Sequence, residues 1–355
     1  MAVERQVAFW IAAFAAFVAL VWLLSDVLLP FVAGMVLAYL LDPVARSAER
    51  FGIRRSVSAL IIVGLVILVL VILTMTIAPI LSAQLVDFID KLPGYVTKLQ
   101  SLLSDPTRPW LAKLFGNHLD DPSKSAGGLI AQASGFIATF IPSLWSGGRA
   151  VFSVLSLLII APVVAFYLLL DWDTVVRTVD GWIPLQHRDT VHGLAHDINN
   201  AIAGFVRGQA VVCLCLAAFY AIGLTLTGLN FGFLIGLMTG LLSFIPFVGA
   251  ASGFLVAVIV AVAQFWPDWT SILMVVAVFA AGQVLEGYVL SPKLVGPKVG
   301  LHPVWMMFAL LAFGYLLGFI GLLIAVPLAA TIGVLVRFTI RKYQQSAIFT
   351  GQGPR

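Results

Sequence analysis

The residues best placed to do chemistry lie in a polar island from Gln283 to Pro303, reading QVLEGYVLSPKLVGPKVGLHP. It holds Gln283, Glu286, Tyr288, Lys293, Lys298 and His302, punctuated by Pro292, Pro297 and Pro303. Apolar runs flank it, Thr270 to Leu285 before and Val304 to Val336 after. A carboxylate at the position of Glu286, one turn inside a membrane helix, costs about 2.5–3.5 kcal/mol to insert. That makes it a candidate for moving a proton or a cation. The plainer alternative is a helix end whose charge snorkels to the interface. Gln283 is placed either to line a pathway or to hydrogen-bond across helices, and Gln209 likewise.

A second group is Ser243-Phe244-Ile245-Pro246-Phe247-Val248-Gly249, which interrupts the apolar stretch Phe231 to Gln264. As one helix that stretch would be about 51 Å long, far beyond a hydrocarbon core of about 30 Å. Pro246 removes a backbone donor and Gly249 admits a tight turn. Unpaired backbone at membrane depth is tolerated only inside protein or along a cavity. The second half-helix would present its positive end at Gly249 and Ala250, suited to anionic or hydroxyl oxygens. A proline kink packed by its neighbours is the structural alternative. Val304 to Val336 repeats the pattern, with Gly314, Gly318, Gly321 and Pro327 as weak points. The candidate substrate pathway is therefore Ser243, Pro246, Gly249, Gln283, Glu286, Gly318 and Gly321. Glu286, Asp171 and Asp173 are the candidates for proton or cation coupling, the two aspartates otherwise serving as interfacial caps.

Other chemistry finds little support. His192 and His196 have the spacing of helical zinc ligands, but no glutamate base lies between them, and they fit a solvated helix face. Cys213 and Cys215, two positions apart on a helix, point about 200° away from each other, which excludes a shared metal or disulfide. Ala251-Ser252-Gly253 lacks the glycine of a serine-protease motif, and His302 stands in a loop away from any partner position. Neither HExxH nor GxxxxGK[ST] occurs, so no metalloprotease helix and no ATP-driven pump is expected. The expectation is a protein that is not an enzyme, with no catalytic residue, cofactor or metal.

These groups are positioned by membrane helices. Hydrophobic residues make up 61% of the chain and charged residues 10%, with mean hydropathy +1.07; soluble domains carry about 25% charged residues. The pI near 9.2 does not point to nucleic acid, because the basic residues form no dense patch. Val7 to Leu24 is read as a retained helix rather than a cleaved signal, since no small-residue cleavage site closes it. Arg46, Arg50, Arg54 and Arg55 mark the loop Asp42–Ser56 as cytoplasmic, and with it the N-terminus. All twenty Lys and Arg fall in the N-terminus, in proposed cytoplasmic segments or in one long outer loop.

The expected organisation is all-α and polytopic, with about eight membrane helical segments including two inverted broken-helix hairpins, plus an extracytoplasmic amphipathic helical insertion. Residues 1–81 form three transmembrane helices, the third stopping near Pro79, and 82–150 the insertion. Within the insertion Asp105 to Gly128 is loop and Leu129 to Pro142 lies along the membrane surface. Residues 151–170 form a fourth helix ending at Asp171-Trp172-Asp173, and 171–208 a cytoplasmic amphipathic linker. Residues 209–340 form a transport core, and 341–355 a cytoplasmic tail. Basic residues at both ends of the second hairpin and none at the ends of the first place the two on opposite faces, an arrangement transporters use to build a midplane site.

Several stretches carry a family resemblance: PFVAGMVLAYLLDP (Pro30–Pro43), FVRGQ (Phe205–Gln209), SFIPFVGA (Ser243–Ala250), LSPKLVGPKVGLHP (Leu290–Pro303) and GLLIAVPLAA (Gly321–Ala330). Together they resemble the autoinducer-2 exporter family of bacterial permeases, across almost the whole chain. The resemblance implies secondary transport; the expected location is the bacterial cytoplasmic membrane, with both termini inside by the placement of the basic residues. It implies export of a small furanone-type quorum-sensing signal in some members, sodium (or lithium)/proton antiport in others, and homo-oligomers such as pentamers. The expected partners are the lipid bilayer, a small polar solute, and Na+ or H+. The leading expectation is an exporter of a small polar, autoinducer-2-like metabolite; an antiporter using Glu286 is the alternative. A non-transporting scaffold whose outer helices at Leu85–Leu103 bind a partner is the third.

Overall fold

The computed structural model describes residues 23–103, 148–295 and 300–346, with isolated positions at 9, 12, 13 and 349. Most of the first expected span, the stretches Asp105–Gly128 and Leu129–Pro142, and Lys298 lie outside the described residues. Among those described, all regular structure is helical: α1 (Ser25–Arg50), α2 (Arg55–Leu103), α3 (Gly148–Asp180), α4 (Arg188–Leu226), α5 (Gly232–Leu242), α6 (Val248–Phe265), α7 (Trp269–Val284) and α8 (Pro303–Gln344). A short 3-10 turn, Leu185–His187, precedes α4, and a π-helical turn, Leu285–Leu290, follows α7 and leads into the helical turn Ser291–Leu294. Among the described residues seven helices are long and apolar enough to cross a membrane, and α5 is a shorter apolar arm. The protein is a polytopic helical membrane protein.

The chain divides into two compact units. The first comprises the chain up to Ile67, Ser156–Gln209 and Ser291 onward; the second comprises Leu68–Leu155 and Ala210–Leu290. In the first, α1, α2 and α3 share a core of small and branched residues: Ala38, Ala45, Ala59, Ile62, Val63, Ala165 and Leu169. Small residues matter here because lipid offers no hydrophobic incentive for helices to associate; close backbone approach and dispersion must do it. A Cβ added at Gly34 would lie 2.7 Å from Val164, so α1 and α3 meet at van der Waals limit. The Arg55 guanidinium closes the end of this bundle, donating Nε–H to the Leu169 carbonyl at 2.7 Å.

In the second unit the same device holds four helices. Gly236 and Gly240 of α5 bring its backbone onto Tyr220, Ala221 and Ala217 of α4, and Gly253 of α6 packs against Thr239 of α5. Tyr220 stacks on Phe279 with ring centroids 4.8 Å apart, and Phe279 meets Phe254 edge-on at 5.4 Å. Polar residues tie the base of this bundle. Gln264 accepts from the Asn230 amide at 2.7 Å and donates to the Gly228 carbonyl at 2.8 Å.

Three expectations about helix ends are corrected. The expected loop Asp42–Ser56 narrows to 51–54, because α1 runs through Asp42 and Pro43 to Arg50 and α2 begins at Arg55. α2 does not stop near Pro79 but continues unbroken through Pro79 and Pro93 to Leu103. A proline costs one backbone bond and a local clash, which bends a helix more readily than it ends one when other contacts hold the next turns. Here those contacts exist: Gln84 Oε1 accepts from the Leu234 amide at 3.1 Å, and the Tyr95 hydroxyl accepts from Asn230 at 3.1 Å. Likewise α3 does not end at Leu170. It runs on to Asp180, so Asp171 and Asp173 are helical rather than caps. Arg55 pairs with Asp173 at 3.5 Å, and Arg177 Nε donates to the Asp173 carbonyl at 3.1 Å.

Both helix breaks occur where proline and glycine place them. Between α5 and α6 the chain turns with Phe247 at φ 68°, a backbone state that costs a residue with a Cβ about 1–3 kcal/mol. In α8 the turn is at Gly318, with φ 61° and ψ −138°, a region open essentially to glycine alone. A Cβ at Gly321 would lie 1.8 Å from the Phe313 carbonyl oxygen. Those residues are eight apart, about 12 Å along a straight helix. The arms 303–317 and 319–344 therefore fold back on each other as a hairpin.

Candidate functional site: a polar cavity and a half-buried acid

The most developed polar site lies in the first unit and starts from a missing hydrogen. In α1, the Tyr39 carbonyl would ordinarily accept from the amide four residues on, but that residue is Pro43. The orphaned oxygen is taken by Arg207 of α4, whose Nε donates to it at 2.9 Å. The same guanidinium reaches Asp42 with Nη2 at 3.3 Å, and Asp42 also accepts from Arg46 Nε at 2.9 Å. One turn behind Asp42, the Tyr39 hydroxyl donates to Asn199 Oδ1 at 3.3 Å. Asn199, Ala203 and Arg207 follow one another at i, i+4 on α4 and so share a face.

These side chains line a half-open cavity of about 500 Å3, with Trp172, Met35 and Leu168 supplying its apolar surface. Fixed donors and acceptors beside aromatic and aliphatic walls make the composition of a small-molecule site. Tyr39, Asp42, Asn199 and Arg207 are not among the residues proposed from spacing. The signal was present, since LLDP and FVRGQ belong to the stretches that carry the family resemblance. What was missing was the pairing of a proline-orphaned carbonyl on one helix with an arginine on another.

The second site is built around Glu286, in the π-helical turn Leu285–Leu290. Single π turns inside helices concentrate at functional positions. Gln283 Nε2 donates to Glu286 Oε2 at 3.3 Å and, over a long 3.4 Å, to the Tyr220 hydroxyl. Gly282 makes this possible: its missing side chain is the space Tyr220 fills, a Cβ there lying 2.4 Å from the hydroxyl oxygen. The structure thus brings Gln283 and Glu286 together and adds Tyr220.

The other proposed residues fall elsewhere. Ser243, in the break between α5 and α6, is buried and gives its hydroxyl to the Thr239 carbonyl at 2.8 Å. Gly249 lies against it, a Cβ there falling 2.3 Å from the Ser243 amide nitrogen, and Pro246 is half-buried in the same turn. Gly318 and Gly321 form the hairpin of α8 in the first unit. Asp171 is exposed, and Asp173 belongs to the Arg55 and Glu49 cluster. His192 contacts Asp180, which also pairs with Arg188. Among the described residues no group of three His, Cys, Asp or Glu is placed to hold a metal. Cys213 is buried and Cys215 exposed, facing apart as their spacing requires.

The model of the AI-2E family transporters matches residues 11–341. The chain belongs to the AI-2E family. Its relatives include "Putative transport protein YrrI" of Bacillus subtilis (strain 168), 29% identical over 329 residues, covering 90% of this chain and 89% of that protein. "Putative transport protein YueF" of the same strain is 26% identical over 314 residues, 87% of this chain and 83% of that one. "Putative permease PerM" of Escherichia coli (strain K12) is 25% identical over 318 residues, 89% and 88% of the two chains. Matches of this breadth place the polar cavity and the π turn inside a membrane transporter of the AI-2E family.

Proposed function

We propose that the protein is a secondary transporter exporting a small polar metabolite or signal, of autoinducer-2 type, across the bacterial cytoplasmic membrane. The observation that carries this reading is the cavity at Tyr39, Asp42, Asn199 and Arg207. It offers hydroxyl, amide, carboxylate and guanidinium groups together with Trp172, the set that recognises a hydroxylated ring by hydrogen bonds and stacking. The breaks at Phe247 and Gly318 support movement, because irregular backbone at membrane depth is a recurrent feature of transporters. Arginines at Arg46, Arg50, Arg54 and Arg55 and again at Arg337 and Arg341 support cytoplasmic placement of those ends and of both termini. Association into a homo-oligomer is part of the same reading.

The test is reconstituted export. Inverted proteoliposomes loaded with the protein should accumulate a hydroxylated furanone or small sugar alcohol from a panel, and Asp42→Asn should cut the initial rate at least tenfold. Equal accumulation in protein-free liposomes for every solute would refute export.

A second reading, sodium(lithium)/proton antiport, rests on Glu286. A half-buried carboxylate with an amide partner in a π turn is a suitable proton carrier. In inverted vesicles with an internal pH dye, sodium or lithium should then discharge an imposed acid lumen, and Glu286→Gln should abolish the response. Exchange by Glu286→Gln at the wild-type rate would remove this reading without touching the first.

A further inference from the structure

On α4, the Arg207 side chain borders a second cavity of about 490 Å3, lined also by Asn200, Asp197, Arg337 and Arg341. Three guanidiniums and one carboxylate meet in this space. Arg337 is held by a bond from Nη1 to the Gly300 carbonyl at 3.1 Å. Arg207 is held by Tyr39 and Asp42. Arg341 Nε donates, over a longer 3.4 Å, to the Arg337 carbonyl, so all three forks have a partner before any ligand arrives, which lowers the entropy cost of binding. Among the described residues neither Arg337 nor Arg341 makes an ion pair with a carboxylate. Asp42, behind Arg207, is shared with Arg46. The lining thus keeps a surplus of two positive charges, and a phosphate monoester carries about −1.5 to −2 at neutral pH.

We infer that the Arg207–Arg337–Arg341 cavity is a binding site for a phosphate monoester group, adjoining the solute cavity, with which it shares Asn200, Ala203 and Arg207. Planar guanidinium forks match phosphate oxygens in pairs, and Asn200 supplies a neutral donor beside them. Asp197 reduces the charge of the lining from three to two, which a dianionic monoester balances and a monoanion leaves half uncompensated. The site is independent of which solute is exported. Because Arg207, Asn200 and Ala203 line both cavities, its occupant reaches the Tyr39–Asp42 wall through these shared residues. The monoester belongs either to a free phosphorylated metabolite or to the headgroup of a lipid such as phosphatidic acid.

The experiment uses the purified full chain in neutral detergent. Inorganic phosphate and glycerol phosphate are titrated calorimetrically against potassium chloride at matched ionic strength, which removes simple screening. In parallel, thermal stability is read in phosphatidylcholine nanodiscs with and without phosphatidic acid. Phosphate binding that chloride does not reproduce, weakened at least tenfold by Arg337→Gln/Arg341→Gln, supports a soluble ligand. Stabilisation by phosphatidic acid alone, lost in the same variant, supports the lipid source. Arg337→Lys/Arg341→Lys keeps the charge and removes the forks, and should weaken binding severalfold even if the glutamine variant does not fold. Binding of equal strength in wild type and the lysine variant, or no response to any of the three probes, would overturn the assignment.

Discussion

If Arg207 is positioned by the carbonyl that Pro43 orphans, the cost of removing it must depend on Pro43. Arg207→Met keeps the aliphatic stem and deletes both bonds, to the Tyr39 carbonyl at 2.9 Å and to Asp42 at 3.3 Å. A hydrogen bond to a charged group contributes about 1.5–3 kcal/mol, and an exposed ion pair about 0–1. The Arg207 side chain is 38% exposed, so water partly replaces it, and Asp42 retains Arg46. A net loss of about 2 kcal/mol follows. In a Pro43→Ala background residue 43 has an amide again, the helix satisfies Tyr39 itself, and Arg207→Met should cost about 1 kcal/mol less. The assay is a double-mutant cycle of unfolding in mixed micelles for wild type, both single variants and the double. A coupling of about 1 kcal/mol with that sign is expected; independent sites add to within about 0.5 kcal/mol. Additivity within that margin would show that the missing amide does not place Arg207.

Gly282→Ala should destabilise the second unit by about 1–2 kcal/mol after allowing for alanine's better helix propensity, because its Cβ collides with a fully buried, stacked Tyr220. Gly287→Ala, which meets nothing within 4 Å, is the control, and equal melting temperatures for the two variants would contradict the packing argument. Asp268 caps α7, accepting from the Thr270 amide at 3.0 Å and the Ser271 hydroxyl at 2.6 Å. The Ser271 hydroxyl, with the amides of the first turn, holds its carboxyl below the ordinary 3.8. A depressed carboxyl stabilises the fold above its unfolded value and loses that contribution as pH falls through the folded one. The melting-temperature gap between wild type and Asp268→Ala should therefore hold from pH 7 to about 5 and close below pH about 3.8; a gap unchanged at pH 3 would refute the cap's charge dependence.

Much of this protein was legible in its residues. Composition alone forces helices into lipid, because a backbone without water must satisfy itself. The lengths of Phe231–Gln264 and Val304–Val336 exceed any bilayer, so each had to break, and Pro246, Gly249 and Gly318 are the residues that permit a break. Gln283 and Glu286 stand out separately in the sequence as polar residues of the island, and the structure joins them, one turn apart, at 3.3 Å. Helix ends were less legible. Pro79, Pro93 and Asp171 look like terminators, yet whether a helix stops depends on what its next turn touches: Asn230 and Leu234 for α2, Arg55 for α3.

What only tertiary structure decided are the contacts between residues far apart in the chain. Local spacing could not announce that Arg207 answers a carbonyl freed by Pro43, 165 residues from its carboxylate partner Asp42. Nor could it announce that Tyr220 fills the space Gly282 leaves. Periodicity encodes which face of a helix is apolar, because that is set by 3.6 residues per turn within one element. Partner choice between elements is set by the shapes of two surfaces at once, and no single stretch of sequence contains both.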